Sequence, residues 1–194
     1  MTNKYEEVAV RSRRELRRWL EKNHSTSPGI WLVTYGKRQG QHHVPYDDVV
    51  EEALCYGWID SQAKKLDEER SALRLTPRKP SSGWSPSNKE RVARLTEEGR
   101  MTPAGLAVVE AAKASGAWTA LDQANQLLEP DDLLEALAAN PQAEAKWRGF
   151  TPSARKALLA WITTARRPET RARRIAQTVE EAAAGRRADE PRPK

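Results

Sequence analysis

The sequence predicts an α+β chain: a small N-terminal domain with a mixed α/β sheet, followed by a mainly helical C-terminal module. Three observations carry this. Residues 30–35, Ile-Trp-Leu-Val-Thr-Tyr, are β-branched and aromatic, and residues 58–66 and 71–76 read as a hairpin around Asp67-Glu-Glu-Arg70, so the sheet signals fall within the first 80 residues. From Ser85 onward the punctuation is helical, because Ser85-Pro86, Thr102-Pro103, Asn140-Pro141 and Thr151-Pro152 each place an N-cap residue before a proline at the first helical position. With 194 residues, 38% of them hydrophobic, the chain suits one domain, or one with a helical extension, around a modest core.

Taken in order, residues 5–10 form a short strand. Ser12-Arg-Arg-Glu15 is a capping-box pattern opening a helix that carries Leu16, Trp19 and Leu20 and ends near His24. Residues 25–29 turn the chain into the 30–35 strand, which ends over 36–40. Pro45 leads into a helix over 46–56 with Val49, Val50, Ala53 and Leu54 on one stripe and Gly57 as its stop.

The hairpin register follows from parity. Pairing positions that sum to an even number puts Asp60 across from Arg78 and Gln62 across from Thr76, and leaves Ile59, Ser61 and Ala63 with Leu73 and Leu75 on the other face. Helices are then expected over 86–98, 103–115, 130–139, 141–148, 152–165 and 168–184, with Gly99, Gly116, Gly149 and Gly185 at stops. The 152–165 helix buries a stripe of Ala154, Ala157, Leu158, Trp161, Ile162 and Ala165, which makes Trp161 a core residue. The last helix buries Ala172, Ile175, Val179 and Ala182. The expected organisation is 1–116 as the α+β domain, 117–150 as an acidic helical connector, 151–185 as a basic helical pair, and 186–194 as a disordered tail.

Charge supports that division. Up to residue 150 there are 22 basic and 22 acidic side chains, and beyond it 11 and 5, so the whole net charge of +6 lies in the C-terminal segment. No run nears the roughly 18 apolar residues of a membrane span, and the N-terminus lacks a signal-peptide pattern, so a cytoplasmic protein without membrane insertion is expected. The lone cysteine, Cys55, fits a reducing compartment and reads as a buried, inert thiol. The histidines, His24, His42 and His43, read as solvent-exposed loop residues. No nucleotide-binding, hydrolase, zinc-protease or Cys-x-x-Cys pattern occurs, so neither a metal nor a cofactor is expected and no residue can be named catalytic.

The informative segment is Glu52-Ala-Leu-Cys-Tyr-Gly-Trp-Ile-Asp60, continued by Leu75-Thr-Pro-Arg-Lys79 and Ser82-Gly-Trp-Ser-Pro-Ser-Asn88. With Trp161-Ile-Thr-Thr-Ala-Arg-Arg-Pro-Glu-Thr-Arg171 and Arg173-Arg174-Ile175, it resembles the YdeI/OmpD-associated family, also called bacteriocin-protection proteins, over nearly the whole chain and most weakly in 117–150. Ser61 stands where many relatives have glycine, and Cys55-Tyr56 where Cys-Phe is commoner. The resemblance implies an α+β domain with a helical C-terminal module and a role in antimicrobial-peptide resistance or stress protection. It brings no catalytic residues.

Two surfaces are candidates for binding. Asp60 with Trp58, Arg74, Arg78, Lys79, Trp84 and the helix start at Ser85, together with Lys37, would suit a small anion or an acidic protein partner, since arginines beside free helix-end N–H groups favour negative charge. The same residues need no ligand if Ser85 is a plain N-cap and Asp60–Arg78 a structural pair. An enzyme would use Asp60 as acid/base, with Arg78 and Lys37 stabilising charge. The ridge of Arg166, Arg167, Arg171 and Arg174 is a candidate nucleic-acid contact, but it lacks aromatic or polar base readers, and a solvated basic face, or one docking on acidic 129–135 of the same chain, is favoured.

Overall fold

The computed structural model describes residues 5–189 and begins with a four-stranded sheet in the order β1-β2-β4-β3, where β1 is Glu6–Ala9, β2 Ile30–Tyr35, β3 Trp58–Lys65 and β4 Arg70–Pro77. β1 runs parallel to β2, while β4 is antiparallel to both its neighbours, so the sheet is mixed. Ile30 pairs with Leu75 and Leu32 with Leu73, which puts these four on one face, and Ile30, Leu32 and Leu75 are completely buried there. Helix α1 (Arg13–Asn23) starts where the Ser12 hydroxyl accepts from the Glu15 amide, and Glu15 reaches back to the Arg11 amide. It buries Leu16 and Leu20, and its Trp19 meets Trp58 edge to face at 5.8 Å. A 3₁₀ segment, Lys37–His42, then leads to α2 (Tyr46–Cys55).

Two compact units divide the chain: one comprises the residues up to Ser82 with Ser87–Ser115, the other Gly83–Pro86 with the residues from Gly116. Within the first unit, α2 buries not only Val49, Val50, Ala53 and Leu54 but also Glu51 and Glu52, which are 7% and 1% exposed. Arg13 donates to Glu52 at 2.6 Å, to Glu51 at 2.6 Å and to Asp48 at 2.5 Å. Arg17 bonds Glu52 at 2.9 Å, and Arg100 bonds it at 2.7 Å; Arg94, from α3 (Pro86–Glu97), bonds Glu51. Burial works against the Arg13 and Arg17 charges, but the Glu52 hydrogen bonds and nearby carboxylates outweigh it and hold both guanidiniums above their ordinary pKa.

The C-terminus of α2 is fixed by α4 (Pro103–Ala114). Thr102 caps α4 and gives both its amide and its hydroxyl to the Cys55 carbonyl, at 3.1 and 2.6 Å. Gly57, at φ 73°, ends α2 and turns the chain into β3 at a position left-handed enough to favour glycine. Trp58 is then 1% exposed, its indole N–H donating to the His24 carbonyl at 3.1 Å. Cys55 is fully buried as expected, and burial, aided by Glu52, pushes its thiol up to about 11.

The hairpin corrects the parity argument. Near the tip the pairing sum is even, with Ala63 opposite Leu73, but beyond Asp60 it is odd: Asp60 pairs with Leu75, Ile59 with Thr76 and Trp58 with Pro77. Asp60 therefore is not across from Arg78, and Ile59 lies on the face opposite Leu75. A bulge separates the two halves, Ser61 and Gln62 facing Arg74 alone. It lets both halves keep an apolar inner face, Trp58 with Leu75 on one side and Ala63 with Leu73 on the other, which a single register cannot do.

The second unit contains α5 (Asp122–Asn125), α6 (Asp131–Ala138), α7 (Pro141–Arg148), α8 (Pro152–Thr163) and α9 (Pro168–Ala183). Asn140 and Thr151 cap α7 and α8 through their side chains, as their positions just before proline predict. Leu133, Leu137, Trp147, Leu158, Leu159 and Ile162 form the buried centre. Trp161 does not belong to it: it is half-buried at the edge of this core, where Arg174 stacks 5.0 Å from its ring and donates to its carbonyl. Leu159 takes a fully buried place instead. In α9 the buried set is Ile175, Thr178, Glu181 and Ala182, with Ala172 exposed and Val179 half-buried. Glu181 tolerates burial because Arg186 bonds it at 2.6 Å. Of the expected tail, 186–189 pack back on α9, with Ala188 7% exposed and its carbonyl accepting from Gln177 at 3.3 Å; residues 190–194 lie outside the described residues.

At Gly105 a Cβ would stand 2.3 Å from the Cys55 carbonyl oxygen, so Gly105→Ala should cost about 1–3 kcal/mol in urea denaturation. A loss under about 0.5 kcal/mol would mean that α4 is not held at the end of α2.

Candidate functional site

The bulge is tied from both strands. Arg74 Nε donates to the Ser61 hydroxyl at 2.9 Å, and that hydroxyl donates to the Arg74 carbonyl at 3.3 Å. On the outer face of the sheet this end of the hairpin makes one wall of an open groove of about 440 Å³ lined by Tyr5, Pro28, Ile59, Asp60, Ser61, Arg74, Thr76, Pro77, Lys79 and Ser82. Asp60 is the one acid among these described residues; it lines the groove from the edge strand β3, while its place opposite Leu75 turns its side chain to the inner side, toward α2. Its carboxylate accepts from the Tyr46 hydroxyl at 2.7 Å, and burial together with that bond pushes the Tyr46 phenol up to about 12. Arg78 is buried, with its amide bonded to the Gly57 carbonyl at 3.0 Å; burial lowers its guanidinium to about 10, and the attraction of Asp60 acts the other way. It is fully cationic at neutral pH.

Of the residues the sequence singled out, the structure brings Asp60, Arg74 and Lys79 to one groove and couples Arg78 to it electrostatically. Trp58 is a core residue. Lys37 is elsewhere: it lines a separate hollow with Arg38, Glu68 and Glu69 at the hairpin tip, five β4 residues from the pairing of Asp60, roughly 17 Å away. Lys37 and Asp60 therefore do not form the catalytic arrangement weighed from sequence. Trp84 and Ser85 belong to the second unit, where Trp84 is 1% exposed and packs on Trp118 with ring centres 4.9 Å apart. His24 and His43 are half-buried, not free loop residues, because each ring Nδ1 bonds a carbonyl, that of Leu20 and that of Tyr35.

The C-terminal arginine ridge is divided. Arg171 makes a two-pronged bond to Asp132 at 2.6 and 2.8 Å, so at this position the ridge docks on the acidic segment and is not a freely solvated face. Arg174 is occupied by Trp161 and Thr164, leaving Arg166 and Arg167 exposed. A second acid, Glu129, gathers Trp147 Nε1 at 2.8 Å, Arg148 at 3.2 Å and Arg155. Sequence reasoning missed this hub and the Glu51–Glu52 pair alike.

Residues 8–108, just over half of the 194, match the family described as domain of unknown function DUF8412. The chain belongs to this family. Residues 127–185 match a second one, described as Bacteriocin-protection, YdeI or OmpD-Associated. Searches of curated proteins and of solved structures returned no match. The DUF8412 region contains the buried acid pair of α2 and nearly all of the groove, whereas the bacteriocin-protection match covers α6 to α9. The YdeI/OmpD-associated resemblance expected over nearly the whole chain is thus supported at the C-terminal end. No helix among the described residues is long and apolar enough to cross a membrane.

The Arg171 bond holds the Asp132 carboxyl below its ordinary pKa. A depressed folded pKa contributes stability above the unfolded value of about 3.9 and loses it as pH falls through the folded one. Asp132→Asn should therefore lower stability at pH 6, modestly because the pair is largely solvated, and the difference from the wild type should shrink in urea melts below about pH 4. A difference that persists unchanged at low pH would contradict this.

Proposed function

We propose that this chain is a cytoplasmic binding protein, not an enzyme, with a protective role of the kind named by the bacteriocin-protection family, and that its outer-face groove holds an anionic group. One observation carries the reading. Arg74 is held by Ser61 through Nε alone, so its two terminal nitrogens have no hydrogen-bond partner among the described residues, and Lys79 is exposed without an ion pair among them. Asp60, the one acid among the described residues that line the groove, is already engaged by the Tyr46 hydroxyl and attracted by Arg78. A phosphate or carboxylate, on a small molecule or an acidic partner, would satisfy the Arg74 fork and the Lys79 charge together. Asp60 is better placed to limit what binds than to move a proton, since its carboxylate is fixed by a phenol whose own pKa is high.

The test is an amide NMR titration of the full chain with inorganic phosphate. Saturable shifts at Ser61, Thr76 and Lys79 in the millimolar range are expected, weakened by salt and largely lost in Arg74→Gln/Lys79→Gln. Asp60→Asn removes a repelling charge and should tighten phosphate binding about three- to fivefold. Binding that is absent, or that Asp60→Asn abolishes, would contradict the reading.

A further inference from the structure

The hairpin bulge has an effect on the other face of the sheet. Continued in the odd register, Gln62 would stand opposite Leu73 on the inner face; the extra residue puts Ala63 there instead. The small side chain leaves a half-open cavity of about 250 Å³ between the sheet and the start of α2, walled by Val44, Val49, Ala63 and Leu73, with Ala63 and Ser71 exposed at its rim. Its walls are mostly apolar. An apolar cavity of about 150 Å³ holds a benzene ring, so this one suits one ring or two fused rings.

Polar groups enter it at defined points. His43 lines the cavity with its Nδ1 2.8 Å from the Tyr35 carbonyl oxygen. A carbonyl has no proton to give, so Nδ1 carries the hydrogen, and of the two tautomers of an uncharged imidazole this is the one whose Nε2 accepts. Thr34 and Ser71 face each other across β2 and β4 and also line the cavity, and neither hydroxyl has a hydrogen-bond partner among the described residues. At the mouth the Tyr46 ring is held in place through its hydroxyl by Asp60.

We propose that this cavity is a second binding site, for a small aromatic molecule of one or two fused rings that carries a single N–H or O–H donor, as indole and phenol do. Apolar walls take the ring, and His43 Nε2 accepts from the donor, a bond that a purely hydrocarbon occupant cannot make. The cavity lies on the face of the sheet away from the Ile59, Arg74 and Thr76 side chains of the anion groove, and the Asp60–Tyr46 hydrogen bond is the link between the two.

The experiment is an amide NMR titration of the full chain with indole, with phenol, and with toluene, which has the shape of phenol but no donor. Indole should give saturable shifts at Thr34, Val44, Val49 and Leu73 with a Kd of about 0.1–1 mM. Ala63→Trp should abolish them: Ala63 is itself exposed, so the variant fills the cavity while the fold persists, which its unchanged remaining spectrum would verify. Phenol should bind at least as tightly as toluene, although an apolar hole without a polar partner would favour toluene, because burying an unpaired hydroxyl is costly. No saturable shift at these amides, shifts that survive Ala63→Trp, or a clear preference for toluene would each overturn the proposal. Phosphate shifts are read at Ser61 and Lys79, so either site fails without the other.

Discussion

Two adjacent carboxylates, Glu51 and Glu52, sit inside the first unit with almost no access to water, and the rest of that unit is arranged around meeting their charge. Removing one such group from water costs several kcal/mol even after relaxation, and unpaired it would not be tolerated. Four arginines from three places in the chain supply the partners: Arg13 and Arg17 from α1, Arg94 from α3 and Arg100 from the turn before α4. The network therefore selects one arrangement of α1, α2 and α3, because any other leaves a buried charge unmet.

From that anchor the geometry of both binding surfaces follows by short covalent steps. Glu52 fixes α2; three residues on, the Cys55 carbonyl is tied to Thr102; Gly57 turns the chain; Trp58 fills the inner face of the sheet. Asp60 then emerges with its carboxylate on Tyr46, the first residue of the same helix. This hydrogen bond joins a residue of the anion groove to one at the mouth of the apolar cavity. The sequence block from Glu52 to Asp60 is thus chiefly a structural device, and its chemistry is carried at its end.

Much of the helical architecture was legible in the sequence, since Ser12, Thr102, Asn140 and Thr151 act through local caps that need no tertiary knowledge. What depends on distant partners was not. Parity assigns one register to a hairpin, and the bulge at Ser61 and Gln62 supplies two, so Asp60 was matched with the wrong residue, while Ala63 was put on the right face, with Leu73 and Leu75, but not opposite its actual partner. Trp161 follows a helical stripe yet sits at its edge, where Arg174 covers it. The α2 stripe was assigned through Val49, Val50, Ala53 and Leu54 alone, and nothing in it marks Glu51 and Glu52 as buried. The available signal was Arg13 and Arg17, spaced one turn apart and flanking Leu16 on a helix that had to pack its apolar side. Of the binding residues, Asp60, Arg74 and Lys79 converge because the hairpin brings them together, whereas Lys37 belongs to the other end of the same strands.

If the buried acid pair holds the first unit together, removing one of its charges must cost far more than removing a charge at the rim of the same network. Urea denaturation of Glu52→Gln against Glu98→Gln tests it most directly, because Glu98 joins Arg94 and Arg100 at the exposed rim of the same network. Glu52→Gln keeps the shape but leaves the guanidiniums of Arg13, Arg17 and Arg100 without their shared charge, so it should cost about 3–5 kcal/mol, and Glu98→Gln less than about 1 kcal/mol. Equal and small losses from the two variants would contradict the account.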